Sequence, residues 1–172
     1  MIAGLQEGKK RVPDDPRPTS EEETALREDH VPPDEALGFL LWDTSRAFVR
    51  TFSARIAEQG VSFGVFPYLR VLWEEDGLTQ SELSDRVRMK GPTTVAAIAE
   101  AERRGWVTRK GDPADRRKVN VFLTEEGRAL RQRLMPAVHA NNTRGVRGLS
   151  PTQQKQFKTM LKKIRANMLE RD

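Results

Sequence analysis

Apolar residues recur at helical spacing along the chain, most clearly in two long segments. The first segment places five of them on one side of a helix: Leu37, Leu41, Phe48, Phe52 and Ile56. The second, near the end of the chain, carries Phe157, Leu161, Ile164 and Met168. One small domain cannot bury both stripes, so each predicts a helix that packs on a partner.

The same spacing, with capping signals, predicts a mostly helical chain. The predicted helices are 34–58, 63–75, 80–87, 92–104, 125–145 and one from 151 onward. Thr79 and Glu82 have the spacing of a capping box, as do Ser150 and Gln153, and Ser62 is expected to cap the second helix. The fourth helix is expected to bury its apolar residues Val95, Ala97, Ile98 and Ala101.

Two short segments are predicted to be strands, and the second shows the alternating pattern. Residues 106–110 and 118–123 are rich in β-branched and aromatic residues and flank a loop that contains Gly111 and Pro113. They predict a β-hairpin directly after two short helices joined by a glycine-bearing turn. A helix-turn-helix followed by such a hairpin, or wing, gives the predicted fold class: mainly α, with a small β-hairpin wing.

Charge divides the chain into an acidic start and a basic remainder. The 172 residues include 30 Lys and Arg and 25 Asp and Glu, for a net charge of +5. Residues 1–36 hold five of the basic and ten of the acidic residues, so the remainder carries +10. That excess is typical of nucleic-acid binding, although a basic solvated surface would look the same. Residues 1–35 are expected to form a disordered acidic tail or, alternatively, an arm ordered on a partner subunit.

Composition excludes several kinds of protein. The chain has no cysteine, and its two histidines, His30 and His139, lie far apart. Disulfides, thiolate metal sites and thiol redox switches are therefore excluded, and no metal or other cofactor is expected. No apolar run reaches membrane-spanning length and no secretory signal is evident, so a cytoplasmic location without membrane contact is expected. No phosphate-loop, dinucleotide-binding, zinc-protease or serine-hydrolase motif is present, so the chain is not expected to be an enzyme.

Several segments resemble one family in their order and spacing. They are Gly77–Ser84, Glu102–Val107, Arg109, Asp112–Arg117 and Leu123–Gly127, the last reading Leu-Thr-Glu-Glu-Gly. Together with the flanking helices, these segments resemble the MarR family of bacterial transcription regulators over about residues 36–170. The resemblance implies a homodimer in which 36–60 and 125–170 form a helical dimerisation region and 61–124 a winged helix-turn-helix. It also implies a transcription regulator, usually a repressor, that binds double-stranded DNA at a pseudo-palindromic operator.

By this resemblance, the fourth helix would enter the major groove and the wing would reach the minor groove. The residues expected at DNA are Ser81, Arg86, Lys90, Thr93, Thr94, Ala96, Arg103, Arg104, Arg109, Asp115, Arg116 and Arg117. Arg117 is the candidate minor-groove probe, Arg116 a backbone contact, and Asp115 the residue that orients an arginine. Many family members place an arginine on the reading helix, whereas this chain offers Ala96 and Ala97, which favours thymine contacts and DNA shape.

Each of these assignments has a plainer alternative. Thr93 and Thr94 can simply cap a helix, and the basic residues can be exposed without binding anything. The resemblance also implies a small-molecule effector, often aromatic or anionic, bound near the dimerisation helices. The candidate lining residues are Trp42, Arg46, Phe66, Tyr68, Trp73 and His139, although such aromatics are more often core. A sequence-non-specific nucleoid-type DNA-binding protein and a protein–protein adaptor on a winged-helix scaffold remain alternatives.

Overall fold

The computed structural model describes residues 31–111 and 118–170. The helices of the described chain are α1 (Leu37–Ala57), α2 (Phe66–Leu72), α3 (Gln80–Val87), α4 (Gly91–Arg103), α5 (Glu125–Gly145) and α6 (Pro151–Asn167). The strands are β1 (Leu78–Thr79), β2 (Val107–Gly111) and β3 (Val119–Leu123). The predicted fold class, mainly α with a small β-hairpin, is confirmed. Most of the predicted acidic tail lies outside the described residues.

The chain divides into two compact units, one up to Trp42 and one from Asp43 onward. In the first unit, the backbone N–H groups of Glu35 and Ala36 donate to the carbonyl of Pro32, which forms a turn ahead of α1. Phe39 and Trp42 contact each other there, with ring centroids 5.5 Å apart. Leu37, predicted to be inward, is more than half exposed.

A single hydrophobic core fills the second unit. α1 contributes Phe52 and Ile56, whereas Phe48, predicted on the same stripe, remains partly exposed. Leu69 of α2, Leu83 of α3 and Ile98 of α4 have no exposed surface. The winged helix-turn-helix is therefore assembled around aliphatic side chains from each of its helices.

The small sheet has the strand order β1-β3-β2 with both pairs antiparallel. β2 pairs with β3 from Val107 opposite Leu123 to Gly111 opposite Val119, which confirms the predicted hairpin. β1 was not predicted, because two residues are too few to show an alternating pattern. Its register sets Leu78 opposite Val121 and ties the start of α3 to the wing.

Local signals set most of the helix boundaries as predicted. The Thr79–Glu82 capping box is formed, with the Thr79 N–H donating to the Glu82 carboxylate at 2.8 Å. The Ser150–Gln153 box is formed in the same way at the start of α6. The prediction that Ser62 caps the second helix is wrong: α2 begins at Phe66 after a turn, and no side chain caps it.

Gly127 joins three elements at the start of α5. Its N–H donates to the Thr124 hydroxyl at 3.0 Å, and its carbonyl accepts from the Trp73 indole N–H at 2.9 Å. A Cβ at this position would lie 2.0 Å from the carbonyl oxygen of Trp106. Only glycine permits this approach, because a methyl group would overlap backbone that cannot move aside alone.

We expect Gly127→Ala to lower the free energy of unfolding by about 1–3 kcal/mol, since α5 must shift away from Trp106. Chemical denaturation of the full chain measures this change. Gly38→Ala is the matched control, because a Cβ there meets nothing within 4 Å and alanine is the better helix former. Equal stability of the two variants would contradict the steric assignment.

Candidate nucleic-acid interface

A tight turn joins α3 to α4 and sets the start of the second helix. The Met89 N–H donates to the Ser84 carbonyl at 3.0 Å, and the Ser84 hydroxyl donates back to the Met89 carbonyl at 2.6 Å. Arg88 closes α3 with a φ of 58°, a left-handed conformation that is uncommon for a non-glycine residue. Lys90 is the exposed residue directly before α4. The turn therefore presents cationic side chains beside the N-terminus of α4, where the helix dipole also favours an anion.

Helix α4 buries one face and exposes the other. Ala97, Ile98 and Ala101 pack into the core as predicted, together with Thr94, which is 1% exposed. The Thr94 hydroxyl lies 3.1 Å from the Tyr68 hydroxyl in this interior. The prediction that Thr94 faces outward toward DNA is therefore wrong. Thr93 and Ala96 are exposed as the prediction requires.

Val95 was predicted to be buried but lies outside the core. It is 48% exposed, although its apolar side chain led us to expect it in the core. Thr94 takes the inward position because Tyr68 satisfies its hydroxyl, so the buried polar group costs little. Burial of Thr94 together with Ala97, Ile98 and Ala101 is the rotation of α4 that leaves Val95 exposed.

A glutamate on α4 holds two of the candidate arginines. Arg103 donates from Nε and Nη2 to one oxygen of Glu100, at 3.0 and 2.5 Å, and Arg104 donates to the other oxygen at 2.9 Å. These bonds hold the pKa of the Glu100 carboxyl below its ordinary value, Arg103 contributing most. The carboxylate is therefore ionised at neutral pH and offsets positive charge at this end of α4.

Two further candidate arginines also contact carboxylates. Arg86 donates to Glu75 at 2.6 Å, and Arg109 donates to Glu102 at 2.6 and 2.9 Å. Each arginine lowers the pKa of its glutamate by hydrogen bonding. Exposed pairs of this kind contribute little to folding stability, so their main effect is on the position and net charge of the arginines.

The remaining DNA candidates fall into two groups. Ser81 is exposed in the first turn of α3. Asp115, Arg116 and Arg117 lie outside the described residues. Before this segment the last paired residue is Gly111, and its partner after the segment is Val119.

The candidate effector residues differ in burial: three are buried and three are exposed. Phe66 and Trp73 are buried in the core with ring centroids 6.1 Å apart, and Tyr68 is buried against Thr94. The plainer interpretation, that these three aromatics pack the interior, accounts for their positions. Trp42, Arg46 and His139 are exposed. Their assignment to an effector pocket stays a prediction.

Sequence reasoning missed several residues of this surface. Arg88 and Met89 were assigned only to a turn, yet both are exposed beside the start of α4, Met89 by 47%. Glu100 and Glu102 were not recognised as partners of arginines. The Glu100 spacing to Arg103 and Arg104, three and four residues on, was the available signal.

Comparison with known proteins places the chain in a family. A model of the MarR family matches residues 59–118. An HTH-type transcriptional repressor of Mycobacterium tuberculosis is 30% identical over 131 residues, which cover 76% of this chain and 94% of that relative. The chain belongs to the MarR family. The HTH-type transcriptional regulator TtmR of Methylorubrum extorquens is 32% identical over 108 residues, covering 63% of this chain but 55% of TtmR, about half of its length.

Solved MarR-family structures have the same fold. A MarR regulator from Methanosarcina mazei superposes with a TM-score of 0.73 at 28% identity, covering 77% of this chain and 96% of that one. CouR from Rhodococcus jostii, bound to p-coumaroyl-CoA, gives 0.70 at 26% identity, over 78% and 95%. BpsR from Bordetella bronchiseptica, whose DNA binding is regulated by 6-hydroxynicotinic acid, gives 0.70 at 26%, over 74% and 97%.

As a MarR-family member, the chain is a winged-helix transcription regulator and not an enzyme. Within residues 31–111 and 118–170, no group of three or more His, Cys, Asp or Glu side chains could hold a metal ion. None of the helices described here is long and apolar enough to cross a membrane.

We expect Glu100→Gln to raise the affinity for random-sequence duplex DNA about three- to tenfold at low salt. The substitution removes a negative charge and releases Arg103 and Arg104 toward phosphates, which also steepens the salt dependence. Fluorescence anisotropy at about 50 and 200 mM salt measures both effects.

Glu74→Gln provides the matched control for this charge change. Glu74 accepts from Arg70 of α2 at 2.6 Å, so the same charge is removed without freeing an arginine of α4. If both variants bind random duplex equally well, Glu100 has no special effect on the arginines of α4.

Proposed function

We propose that this protein is a homodimeric repressor that binds a pseudo-palindromic operator and leaves it when a small aromatic or anionic effector binds. The observation that carries the proposal is the arrangement of α4. Its buried face fixes it to the core, and its opposite face is exposed beside the cationic turn that contains Arg88 and Lys90. This is the arrangement that a helix needs in order to enter a major groove while flanking cations contact phosphates. Its place of action is then the cytoplasm, on chromosomal DNA.

The homodimer is supported by α6. None of its residues is buried, yet it carries Phe157, Met160 and Leu161 on one side, with Phe157 41% exposed. Seventeen residues with an uncovered apolar stripe are not stable as a solvent-facing helix, so a second copy is the partner that we propose. Two-fold symmetry then places two copies of α4 for successive major grooves, which gives the operator its inverted repeat.

The effector is supported by the relatives. CouR binds p-coumaroyl-CoA and BpsR responds to 6-hydroxynicotinic acid, and both superpose on this chain over most of their length. An effector displaces DNA if it binds more tightly to the dimer geometry in which the two α4 helices do not match the operator. The exposed residues Trp42, Arg46 and His139 remain the candidates on this chain.

The wing supplies the second DNA contact in this proposal. Arg117 is proposed to enter a narrow minor groove, whose negative potential attracts a guanidinium group. Arg116 would contact the backbone, and Asp115 would orient one of the two arginines. Ser81 and the exposed arginines of α3 and α4 are proposed phosphate contacts.

Selection of fragmented genomic DNA by the purified full-length protein tests the operator. We expect a small set of fragments that share an inverted repeat, recovered at both low and near-physiological salt. Arg117→Ala should bind these fragments no better than unrelated DNA, because the minor-groove contact is lost. Arg117→Lys, which keeps the charge without the planar group, should recover affinity only in part.

Arg133→Ala is the control, since Arg133 contacts Glu126 within α5. Its operator affinity should match that of the unchanged protein. Broad recovery without a shared repeat, with steep salt dependence, would instead support the nucleoid-type alternative. If the unchanged protein recovers no DNA at either salt concentration, the result would support the protein–protein adaptor alternative.

We expect sedimentation equilibrium to give twice the mass of one chain, and Phe157→Glu to shift the protein toward monomer. Burial of a carboxylate in the dimer contact is unfavourable, and operator affinity should fall with the dimer. Thr159→Glu adds the same charge on the other side of α6 and should remain dimeric. Circular dichroism checks that both variants stay helical. A monomeric unchanged protein that still binds the inverted repeat would contradict the proposal.

A further inference from the structure

The outward face of α4 is defined by the rotation of this helix. At 100° per residue, the buried residues Thr94, Ala97, Ile98 and Ala101 lie within about one third of the circumference. The opposite direction is occupied by Pro92, Ala96, Ala99 and Arg103, with Val95 beside them. These exposed residues form the surface that we call the reading face.

The reading face is apolar over its first three turns. Val95, Ala96 and Ala99 present only methyl groups, and Val95 is 48% exposed. Thr93 adds a methyl group and one hydroxyl at the flank.

Glu100, at the flank of the reading face, is already hydrogen-bonded to arginines. Glu100 would otherwise be able to accept a hydrogen bond from the amino group of cytosine. Both of its oxygens accept from arginines, Arg103 on one and Arg104 on the other. Arg103, in turn, lies at the C-terminal end of the helix, away from the residues that enter the groove first.

We infer that α4 reads its half-site through the C5-methyl groups of thymine, with Val95 and Ala96 as the specificity-determining side chains. The inference rests on the proposed function, because it names the bases that the proposed operator offers to this helix. Thymine is the base that presents a methyl group in the major groove. A guanine or cytosine in the same place would set hydrogen-bonding groups against alkyl side chains and leave them unpaired.

The test uses the operator duplex recovered by the genomic selection. Each thymine of one half-site is replaced in turn by deoxyuridine, which removes the methyl group and keeps the base pair. We expect replacement at each contacted position to weaken binding about fourfold, the value for one buried methyl-sized group. Replacement of thymines outside the half-site should leave affinity unchanged.

A pairing between side chain and base is tested by combining variants. Val95→Ala should weaken binding to the thymine operator and should reduce the deoxyuridine penalty at one position to less than twofold, since the partner methyl is already gone. Val31→Ala is the control, because Val31 is also exposed, at 59%, and lies outside α4. It should leave every deoxyuridine penalty unchanged.

The outcomes distinguish this inference from the proposed function. If a shared inverted repeat is recovered but all deoxyuridine replacements change affinity less than twofold, methyl readout is wrong and the operator proposal stands. If Val95→Ala leaves every penalty intact, the assignment to Val95 is wrong. If no repeat is recovered, the proposed function fails and the inference fails with it.

Discussion

The hydrogen bond between Tyr68 and Thr94, together with the burial of Ala97, Ile98 and Ala101, sets which side of α4 is exposed. The hydrogen bond joins α2 to the first turn of α4 inside the core, with 3.1 Å between the two hydroxyl oxygens and almost no exposed surface on either residue. A buried hydroxyl without a partner is unfavourable, so each residue stabilises the burial of the other. Since side chains on a helix rotate together, the inward position of Thr94 also sets Val95 and Ala96 outward.

Hydrogen bonds and one close backbone contact add to the core packing of Val107, Val121 and Leu123 in fixing the position of the wing. Asp76 accepts from the N–H of Gly77 and from the N–H of Leu123, and its other oxygen accepts from Arg128 at 2.8 Å. Gly127 brings α5 against the carbonyl of Trp106 on the other side. The hairpin is thereby fixed both to the end of α2 and to the start of α5. A movement of α5 would therefore also move the wing, because hydrogen bonds and the Gly127 contact connect the two. An effector or a partner subunit that moved α5 would influence DNA binding in this way.

The sequence predicts those features of the structure that depend on neighbouring residues better than those that depend on residues distant along the chain. Capping boxes at Thr79 and Ser150, and the hairpin of β2 and β3, depend on neighbouring residues, and these predictions are confirmed. On α4, Ala97, Ile98 and Ala101 are buried as predicted, but the residue that completes the buried face is Thr94 and not Val95. In the run Thr93-Thr94-Val95-Ala96-Ala97 the residues are small and similar in size, so the hydrophobic pattern has no clear phase. The partner that decides the phase, Tyr68, is 26 residues away and is found only in three dimensions. The carboxylate partners of the arginines were missed because two of them, Glu75 for Arg86 and Glu102 for Arg109, depend on how elements pack.

The electrostatic and apolar parts of the α4 surface have complementary effects on specificity. Methyl contacts are weak individually, so a protein that relies on them gains little discrimination if its cations already bind any duplex tightly. Here Glu100 pairs with Arg103 and Arg104, and Glu102 with Arg109, which would lower the attraction to phosphates that every sequence shares. If the non-specific affinity is lower, the same methyl contacts give a higher ratio of specific to non-specific affinity. In a two-fold symmetric dimer, each contact would be made once in each half-site. A base change in both half-sites would therefore cost twice the binding free energy of one contact. In the proposed operator complex, the apolar reading face and the paired arginines would therefore favour discrimination between sequences over strength of binding.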